Sequence, residues 1–391
     1  MKNYKCDLYV VVNLTGDGGK AKKTYARVRE ILNKNGVNFK TFASRYKGDV
    51  KLFVEKLTDR VDGIINIAVI GGDGTINGVI NGIKDFSRTR IGIIPIGSGN
   101  DFARGLGLPK ETDKAVGRIL RVLNDDRKRM AEDESDEDFA AAGNGISSCR
   151  GEAFSCRVSL VDVGLTTVYG DENVALMLGK AAGVTSLQRR FGISSGIGLD
   201  ALVCKKLDGS KIKAFLKRFG MGSLSYIVMT VISLFTMEKN DVKIFYTEDV
   251  EDSDITAKIG ISDKQADLIT VNETVNNNRV ERRIKKLIFF AAMNMKCEGG
   301  GVPMAPKADF SDGQLSCTLA YDVPKWKSFF ILPVLVMAKH EKMKSFMLFN
   351  DKKVELVSDK EMVVHVDGEY GGESKHVSFE ILPEKLMVIT G

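Results

Sequence analysis

The chain has few of the residues that form zinc sites or disulfide frameworks. Its 391 residues include three histidines and six cysteines, and no two cysteines have the Cys-x-x-Cys spacing. Zinc sites need clustered cysteine and histidine ligands, and disulfide frameworks are typical of short secreted chains. The sequence therefore argues against both kinds of cross-link.

The sequence also lacks an apolar run long enough to cross a bilayer. The apolar runs Tyr226–Phe235 and Phe329–Ala338 have ten residues each, whereas a transmembrane helix needs about 20. We expect both to be core helices. The first residues lead directly into a predicted strand and show no signal-peptide pattern, so we expect a cytoplasmic protein.

Neither sign of charge is in large excess. The 57 Lys and Arg against 51 Asp and Glu give a net charge of +6. This excess is too small to indicate nucleic acid, but it suits phosphate ligands or an anionic membrane surface. Basic residues beside the apolar runs favour reversible docking on the inner face of the membrane. They are Lys211, Lys213, Lys217, Arg218, Lys325, Lys327, Lys339, Lys342 and Lys344. The oligomeric state stays open, with a homodimer as one alternative.

Two glycine-rich stretches, Ile70–Asn77 and Pro95–Phe102, follow the apolar runs Ile64–Ile70 and Ile91–Ile96. The first stretch leads into apolar residues at helical spacing. It therefore predicts a strand, a tight turn and a helix N-terminus, which presents backbone N–H groups to an anion. Asp73 lies inside this turn, and a carboxylate beside phosphate requires a cation between them, usually Mg²⁺. The two stretches predict a Mg·nucleotide site.

Strand and helix patterns alternate from Leu8 to Leu123, and they predict a doubly wound parallel sheet with helices on both faces. A third glycine loop, Asn13–Lys20, follows the first strand. It lacks the Lys-Ser/Thr ending of nucleoside-triphosphatase loops, and a plain surface turn is the alternative. Because ligands bind at the carboxyl ends of parallel strands, we expect the three loops to converge on one crevice. This α/β nucleotide-binding domain is predicted to span residues 1–125.

The composition changes near Asn124. The acidic block Glu132–Asp138 predicts a solvated loop, and we interpret residues 127–156 as an insertion at the domain junction. Short alternating segments then predict a mainly antiparallel β-sandwich, so the second domain would be 126–391. Its predicted helices are Phe215–Phe235 and Phe329–Met337. Its predicted strands are Val158–Val163, Ala201–Lys205, Val242–Tyr246, Leu287–Ala292, Leu315–Ala320, Lys353–Val357, Met362–Val366, Val377–Ile381 and Leu386–Ile389.

An ordered set of motifs makes the chain resemble the diacylglycerol kinase catalytic-domain family. That family includes soluble bacterial diacylglycerol kinases, related bacterial lipid kinases, and the sphingosine and ceramide kinases. The resemblance covers nearly the whole chain. It implies an NAD-kinase/phosphofructokinase-like α/β domain and a β-rich lipid-substrate domain, with ATP and substrate meeting in a cleft. The matching segments are Gly71–Thr75, Gly97–Phe102, Asn294, Gly299–Gly301, Ala305–Gly313 and Val366–Glu369.

The resemblance also implies ligands for individual residues. Asp73, Asp101 and Asp162 would organise the catalytic Mg²⁺ through water. A second, structural Mg²⁺ would be held by the side chain of Asp312 and the backbone carbonyls of Asp309 and Gln314. For Asp162, Asp309 and Asp312 a plain turn is the alternative. The residues implied for ATP are Asn13, Thr15, Gly16, Ser44, Gly72, Asp73, Gly74, Thr75, Asn77, Ser98 and Asn100.

The sequence departs from the family pattern at Leu14-Thr15 and in an insertion around Val168–Arg190. The segment after this insertion keeps the family's Gly198 and Asp200. Because this insertion and the acidic one lie near where an acyl substrate would enter, they leave the identity of the lipid open.

Asp367 and Glu369 are the candidates for accepting the proton of the lipid hydroxyl. In a regular strand, residues two apart point to the same face, so one carboxylate could take the proton while the other tunes it. We take Glu369 as the acceptor and Asp367 as its partner, with Asp73 as the alternative base. Asp-Gly is also a strong hairpin signal, so a simple turn is the competing interpretation. His365 would lie on the opposite face, and we interpret it as structural.

The predicted function is ATP- and Mg²⁺-dependent phosphorylation of a membrane lipid hydroxyl, with diacylglycerol as the leading substrate and phosphatidic acid as the product. A sphingoid or other lipid alcohol is an alternative substrate. An NAD-kinase-like enzyme would explain Gly71–Thr75 but not Gly97–Phe102 or Val366–Glu369. A non-catalytic nucleotide or lipid sensor on the same fold is the third alternative.

Overall fold

The structure, a computed structural model, describes residues 6–14, 19–140, 157–170, 186–207, 233, 237, 239–247, 269–272, 279–324 and 331–391. The chain forms two compact units. One contains Met1–Val161 with Glu384–Gly391, and the other contains Asp162–Pro383. The first unit therefore extends to Val161 and not to residue 125 as predicted. It also includes the C-terminal residues Glu384–Gly391.

The first unit is built on a six-stranded sheet with the order β2-β1-β3-β4-β16-β5. All neighbouring pairs are parallel except β16 and β5. Its strands are β1 Leu8–Asn13, β2 Phe39–Ser44, β3 Ile65–Gly71, β4 Thr89–Pro95, β5 Val158–Val161 and β16 Leu386–Ile389. Its helices are α1 Lys20–Lys34, α2 Asp49–Arg60, α3 Asp73–Gly82, α4 Asp101–Gly105 and α5 Thr112–Ala140, with a 3₁₀ turn at Phe86–Arg88.

The central strands β3 and β4 are buried at every position. Parallel strands covered on both faces need continuous apolar runs, which is why the sequence shows no alternation there. On one face of β1, Leu8, Val10 and Val12 pack with buried residues of α1 and α5. The predicted parallel α/β architecture is confirmed.

The acidic block Glu132–Asp138 lies in α5, so the predicted loop is wrong over these residues. The earlier part of this helix is anchored by Asp126, whose carboxylate pairs with Arg90 on β4 at 2.7 Å. Propagating an anchored helix is easier than nucleating one, so a charged segment can continue it. The rest of the predicted insertion, residues 141–156, lies outside the described residues.

The second unit is built on a ten-stranded sheet in which every described pair is antiparallel. Its strands are β6 Gly164–Tyr169, β7 Ser186–Phe191, β8 Ser194–Gly198, β9 Asn240–Thr247, β10 Ile269–Asn272, β11 Arg279–Met293, β12 Leu315–Tyr321, β13 Phe346–Asp351, β14 Lys353–Val366 and β15 Glu369–Ile381. The remaining elements are α6 Leu199–Leu207, α7 Ile331–Val336 and a 3₁₀ turn at His340–Lys342. The order is β13-β12-β11-β8-β14-β15-β6-β7, with β9 beside β11 and β14, and β10 beside β11.

Four predictions for this half of the chain need correction. Val158–Val163 was assigned to the second domain, but its strand, β5, lies in the sheet of the first unit beside β16. Ala201–Lys205 is part of helix α6, because a five-residue apolar segment does not distinguish a strand from a buried helix turn. Lys353–Val357 and Met362–Val366 form one strand, β14, with an irregularity between them. Leu386–Ile389 is β16 of the first unit and lies parallel to β4.

The two apolar runs are described only in part. The predicted helix Phe215–Phe235 lies outside the described residues apart from Ser233. Within Phe329–Met337 the described helix is α7. Across the part of the chain that the structure describes, no helix has the length and apolar composition needed to cross a bilayer.

The packing of α3 against α2 gives a testable prediction about two helical glycines. A Cβ on Gly82 would lie 2.6 Å from the carbonyl oxygen of Lys51 and 2.7 Å from the Cβ of Val54. A Cβ on Gly117 in α5 would meet nothing within 4 Å. We expect Gly82→Ala to lower the free energy of unfolding by about 1–3 kcal/mol through overpacking. The matched control Gly117→Ala should raise it by about 0.5–1 kcal/mol. Urea denaturation of both variants measures this, and equal effects would contradict the packing.

Candidate functional site

The carboxyl ends of β1 to β4 lie along one edge of the first sheet. Asn13 pairs in register with Ser44, and Gly71 pairs with Pro95. The ends of the strands therefore bring Asn13, Ser44 and both glycine stretches to the same edge, as the parallel topology predicts. Thr15 and Gly16, also assigned to the ATP site, lie outside the described residues.

The two glycine stretches are in direct contact. A Cβ on Gly97 would lie 2.8 Å from the Cα of Gly72, and a Cβ on Gly72 would lie 3.2 Å from the Cα of Gly97. A side chain at position 97 would clash with the facing backbone, and one at position 72 would be tight, so glycine at both positions allows this approach. The predicted convergence of these two loops is therefore observed.

The carboxylate of Asp73 joins the two loops. Its Oδ2 accepts a hydrogen bond from the N–H of Asp101 and its Oδ1 accepts one from the N–H of Phe102, both at 3.2 Å. Burial raises the pKa of Asp73, and these backbone N–H groups oppose the rise. Gly99 leaves room for the carboxylate, since a Cβ there would lie 3.1 Å from Oδ2. Asp73 is thus fixed against the first turn of α4.

Arg104 supports the second loop from outside. Its guanidinium donates to a carboxylate oxygen of Asp101 at 2.5 Å and to the carbonyl of Gly99 at 2.8 Å. Sequence reasoning missed this residue. The signal was present, because Asp101 and Arg104 are three apart at the start of a helix, where such pairs meet.

The first turn of α3 has the features of an anion site. The helix begins after Gly72 without a side-chain cap, while Gly74 and Ser98 are exposed. Exposed backbone N–H groups at a helix N-terminus suit phosphate oxygens. The oxygen-rich surroundings of Asp73 and Asp101 suit Mg²⁺.

The remaining predicted phosphate ligands have structural contacts in this region. Thr75 packs over Gly71, where a Cβ would lie 2.5 Å from the Thr75 side chain. Asn77 is buried inside α3 and accepts a hydrogen bond from Asn81 at 3.2 Å. Asn100 has the left-handed φ of 51° and donates to the carbonyl of Gly97. The structure therefore places Asn77 within the helix rather than at its open end.

In the second unit, Asp367 and Glu369 do not share a strand face as predicted. β14 ends at Val366 and β15 begins at Glu369, and these two residues pair across a two-residue turn. Asp367 and Gly368 both have positive φ, 48° and 73°, which is the geometry of a tight hairpin turn. The competing hairpin interpretation is therefore correct for the backbone.

Both carboxylates nevertheless contact the same segment, at the β7–β8 connection. Asp367 is buried and accepts hydrogen bonds from the N–H groups of Gly192, Ile193 and Ser194 at 2.8–3.1 Å. Glu369 forms a 2.6 Å ion pair with Arg189 on β7. Asp367 thus anchors the hairpin, and Glu369 pairs with the guanidinium of Arg189, a residue that sequence reasoning missed.

Asp162 lies with the loop predicted to hold the structural Mg²⁺. It is fully buried, and its Oδ2 accepts from the N–H of Gly313 at 2.7 Å. Its carbonyl accepts from the side-chain amide of Asn294 at 2.7 Å, which also donates to the carbonyl of Gly192. Asn294 therefore connects Asp162 to the segment that holds Asp367.

The two exposed aspartates of this loop make local turns. Asp309 accepts from the backbone of Ser311, and Asp312 accepts from the N–H of Gln314, each at 2.9 Å. These contacts are those of the turn alternative. The metal role of Asp309, Asp312 and Gln314 stays a prediction.

His365 belongs to a buried charged group beside the hairpin. Its Nε2 lies 3.0 Å from a carboxylate oxygen of Asp200. Burial disfavours the imidazolium, but the carboxylates of Asp200, Glu298 and Asp367 outweigh it and raise the pKa of His365 to about 9. Gly196 makes room for the pair, since a Cβ there would lie 2.9 Å from Nε2. Ligand atoms of Asp200, Glu298 and His365 lie within 4.8 Å of one another and are of the kinds that can also hold a cation.

Comparison with known proteins identifies the family. Residues 7–129 match the family described as diacylglycerol kinase catalytic domain. Residues 194–390 match the family described as YegS C-terminal NAD kinase beta sandwich-like domain. The chain belongs to the diacylglycerol kinase catalytic-domain family.

Individual relatives of this diacylglycerol kinase family member are distant. A diacylglycerol kinase of Staphylococcus haemolyticus is 38% identical over 112 residues, which are 28% of this chain and 33% of that protein. The match thus spans about a third of that relative. The putative lipid kinase YtlR of Bacillus subtilis is 21% identical over 371 residues, 93% of each chain. A solved structure of a putative diacylglycerol kinase from Bacillus anthracis has a TM-score of 0.61 at 17% identity, covering 98% of this chain and 97% of that one. This last likeness supports the fold.

The charge state of His365 predicts how stability depends on pH. Its pKa is about 9 in the folded chain against an ordinary value of 6.5, so the folded state keeps the proton to higher pH. The resulting stabilisation is complete below pH 6.5 and is lost as the pH rises through about 9. It amounts to at most about 3 kcal/mol, since one pKa unit corresponds to about 1.4 kcal/mol.

We expect the free energy of unfolding of the wild type to fall between pH 6.5 and 9. The fall should be smaller in His365→Gln, which can still donate to Asp200 but has no proton to release. Urea denaturation across this range measures it, with His376→Gln as a control that removes a different histidine. The same pH dependence in both variants would rule out the buried imidazolium.

Proposed function

We propose that the protein is an ATP- and Mg²⁺-dependent lipid kinase that phosphorylates the hydroxyl of a membrane lipid, with diacylglycerol as the substrate and phosphatidic acid as the product. The observation that carries this proposal is the contact of the two glycine loops around Asp73. It brings the uncapped start of α3 beside the second glycine loop and a half-buried carboxylate, in a chain of the diacylglycerol kinase family.

The first unit would bind the nucleotide. Bound Mg·ATP would supply the phosphoryl group, and Mg²⁺ would neutralise its developing charge. The backbone N–H groups of Gly72 and Gly74 would hold the phosphates at the start of α3, with Ser98 from the neighbouring loop. Asp73 and Asp101 would hold the cation through water, and their hydrogen bonds fix both loops before the ligand arrives.

In the second unit, Glu369 would accept the proton of the lipid hydroxyl. Its ion pair with Arg189 fixes the position of the carboxylate, and positioning is what a general base requires first. Asp367 serves as the anchor of the hairpin rather than as a second base, because its oxygens accept three backbone N–H groups. Asp73 stays the alternative base, since burial raises its pKa.

Membrane lipid as the substrate agrees with the lipid-kinase names of the relatives. A sphingoid or other lipid alcohol is the second candidate, and the bacterial diacylglycerol kinase names favour diacylglycerol over it. The proposal places the enzyme in the cytoplasm, reversibly attached to the inner face of an anionic membrane.

Incubation with labelled ATP and a panel of acceptors tests the activity. We expect label in phosphatidic acid when diacylglycerol is present with Mg²⁺, and little label in phosphorylated sphingosine or NADP. Thin-layer chromatography separates these products, and addition of a chelator is the control for Mg²⁺. Labelled NADP without labelled lipid would replace this proposal by the NAD-kinase alternative. ATP binding without transfer to any acceptor would indicate a sensor.

Two substitutions separate the proposed roles of the acids. Glu369→Gln keeps an oxygen that can accept from Arg189 but removes proton affinity. It should lower kcat by about 10²–10⁴-fold, the usual contribution of a positioned general base, with nearly unchanged ATP affinity. Asp73→Asn should instead weaken the Mg²⁺-dependent use of ATP and raise the KM for ATP.

Steady-state kinetics and equilibrium ATP binding at several Mg²⁺ concentrations measure both effects. Asp59→Asn on the exposed end of α2 is a control that should change neither parameter. If Glu369→Gln lost ATP binding and kept a normal kcat at saturation, the roles would be exchanged and Asp73 would be the base.

A further inference from the structure

The segment 336–344 exposes more apolar side chain than its neighbours in the second unit. Seven large hydrophobic residues are exposed among the described residues, and three of them lie here. Val336 is 57% exposed, Met337 53% and Met343 36%. Concentrating exposed apolar side chains in one short segment is unfavourable in water unless a partner covers them.

The same segment carries three unpaired cations. Lys339, Lys342 and Lys344 are exposed, and among the described residues none of their ammonium groups forms an ion pair. The acidic residue between them, Glu341, is already paired with Lys307 at 3.2 Å. The apolar side chains are therefore surrounded by uncompensated positive charge.

A buried histidine fixes this segment to the sheet. His340 is fully buried between the exposed residues on either side, and its Nε2 lies 3.0 Å from the carbonyl oxygen of Met304. Its ring also packs against Phe346 of β13, with the centroids 5.4 Å apart. Ala338, with a left-handed φ of 53°, turns the chain between α7 and this anchor. Met337 and Met343 therefore project from a backbone that is held in place.

We propose that residues 336–344 form a docking loop that inserts Val336, Met337 and Met343 into the surface of an anionic lipid bilayer. Flexible methionine and aliphatic side chains enter the boundary between head groups and acyl chains, while long lysine side chains reach the anionic head groups. The charge selects an anionic lipid surface over a neutral one. The inference rests on the proposed lipid-kinase function, which requires the enzyme to reach a substrate in the membrane.

The test compares the wild type with Met337→Ser/Lys339→Gln in the full-length protein. The matched control is Leu52→Ser/Lys56→Gln, which changes an exposed apolar residue and an exposed lysine one turn apart on α2. Binding is measured by flotation with phosphatidylcholine vesicles, with and without phosphatidylglycerol. Activity is measured on diacylglycerol in the same vesicles and on a water-soluble short-chain diacylglycerol.

We expect the wild type and the control to float with anionic vesicles and not with neutral ones. Met337→Ser/Lys339→Gln should bind anionic vesicles about tenfold more weakly, since one lysine near such a surface contributes about fivefold. It should lose vesicle activity in proportion and keep its activity on the short-chain substrate. Equal flotation of this variant and the wild type would overturn the proposal, as would equal binding of the wild type to neutral and anionic vesicles.

Two further outcomes distinguish membrane docking by this loop from the proposed lipid-kinase function and from a contact between two copies of the chain. If the wild type phosphorylated no lipid, the proposed function would fail, while flotation would still decide whether the loop docks. If size-exclusion chromatography showed that the variant dissociates a wild-type dimer without a change in flotation, the loop would contact a second copy instead. That result would also overturn the proposal.

Discussion

Carboxylates that accept backbone N–H groups hold the loops of the candidate site in this protein. Asp73 binds the N–H groups of Asp101 and Phe102 in the first unit, and Asp367 binds those of three consecutive residues in the second. Loops cannot satisfy their polar backbone groups by pairing as strands do, and burying them unpaired would be costly. One carboxylate satisfies two or three such groups at once, with charge-assisted hydrogen bonds that are stronger than neutral ones. Loop geometry therefore depends on a few acids.

This arrangement explains why acids are concentrated where phosphate chemistry is proposed. An anion site needs N–H groups aimed at the ligand, and a carboxylate behind the loop can fix their directions. In the proposed mechanism Asp73 has two roles, because the same side chain would also hold the cation through water. The carboxylate of Asp162 likewise holds a loop, because it accepts a hydrogen bond from the N–H of Gly313. Asp73, Asp162 and Asp367 of this chain are thus part of the fold, whatever chemistry is proposed for them.

Basic groups balance these acids close by. Arg104 pairs with Asp101 and Arg189 pairs with Glu369. His365 lies beside the carboxylate of Asp200, and this carboxylate together with those of Glu298 and Asp367 raises its pKa to about 9. A buried charge is tolerated when it is paired and hydrogen-bonded. Each basic residue is distant in sequence from its acidic partner or lies one helical turn from it. Substituting either residue of a pair therefore leaves the other without its partner.

The sequence by itself determined the parallel α/β sheet, the convergence of the glycine loops on its edge, and the antiparallel nature of the second unit. These features follow from local patterns, because continuous apolar runs, glycine turns and strand alternation can each be recognised from residues that are neighbours in the sequence. Only the tertiary structure decided that Asp367 lies in a tight turn with Glu369 just after it, that Ala201–Lys205 is helical, and that Leu386–Ile389 returns to the first unit. It also decided the partners Arg189 and His365. These contacts join residues 165 or more positions apart, as His365 and Asp200 show, and the spacing of neighbouring residues carries no information about such distant pairs.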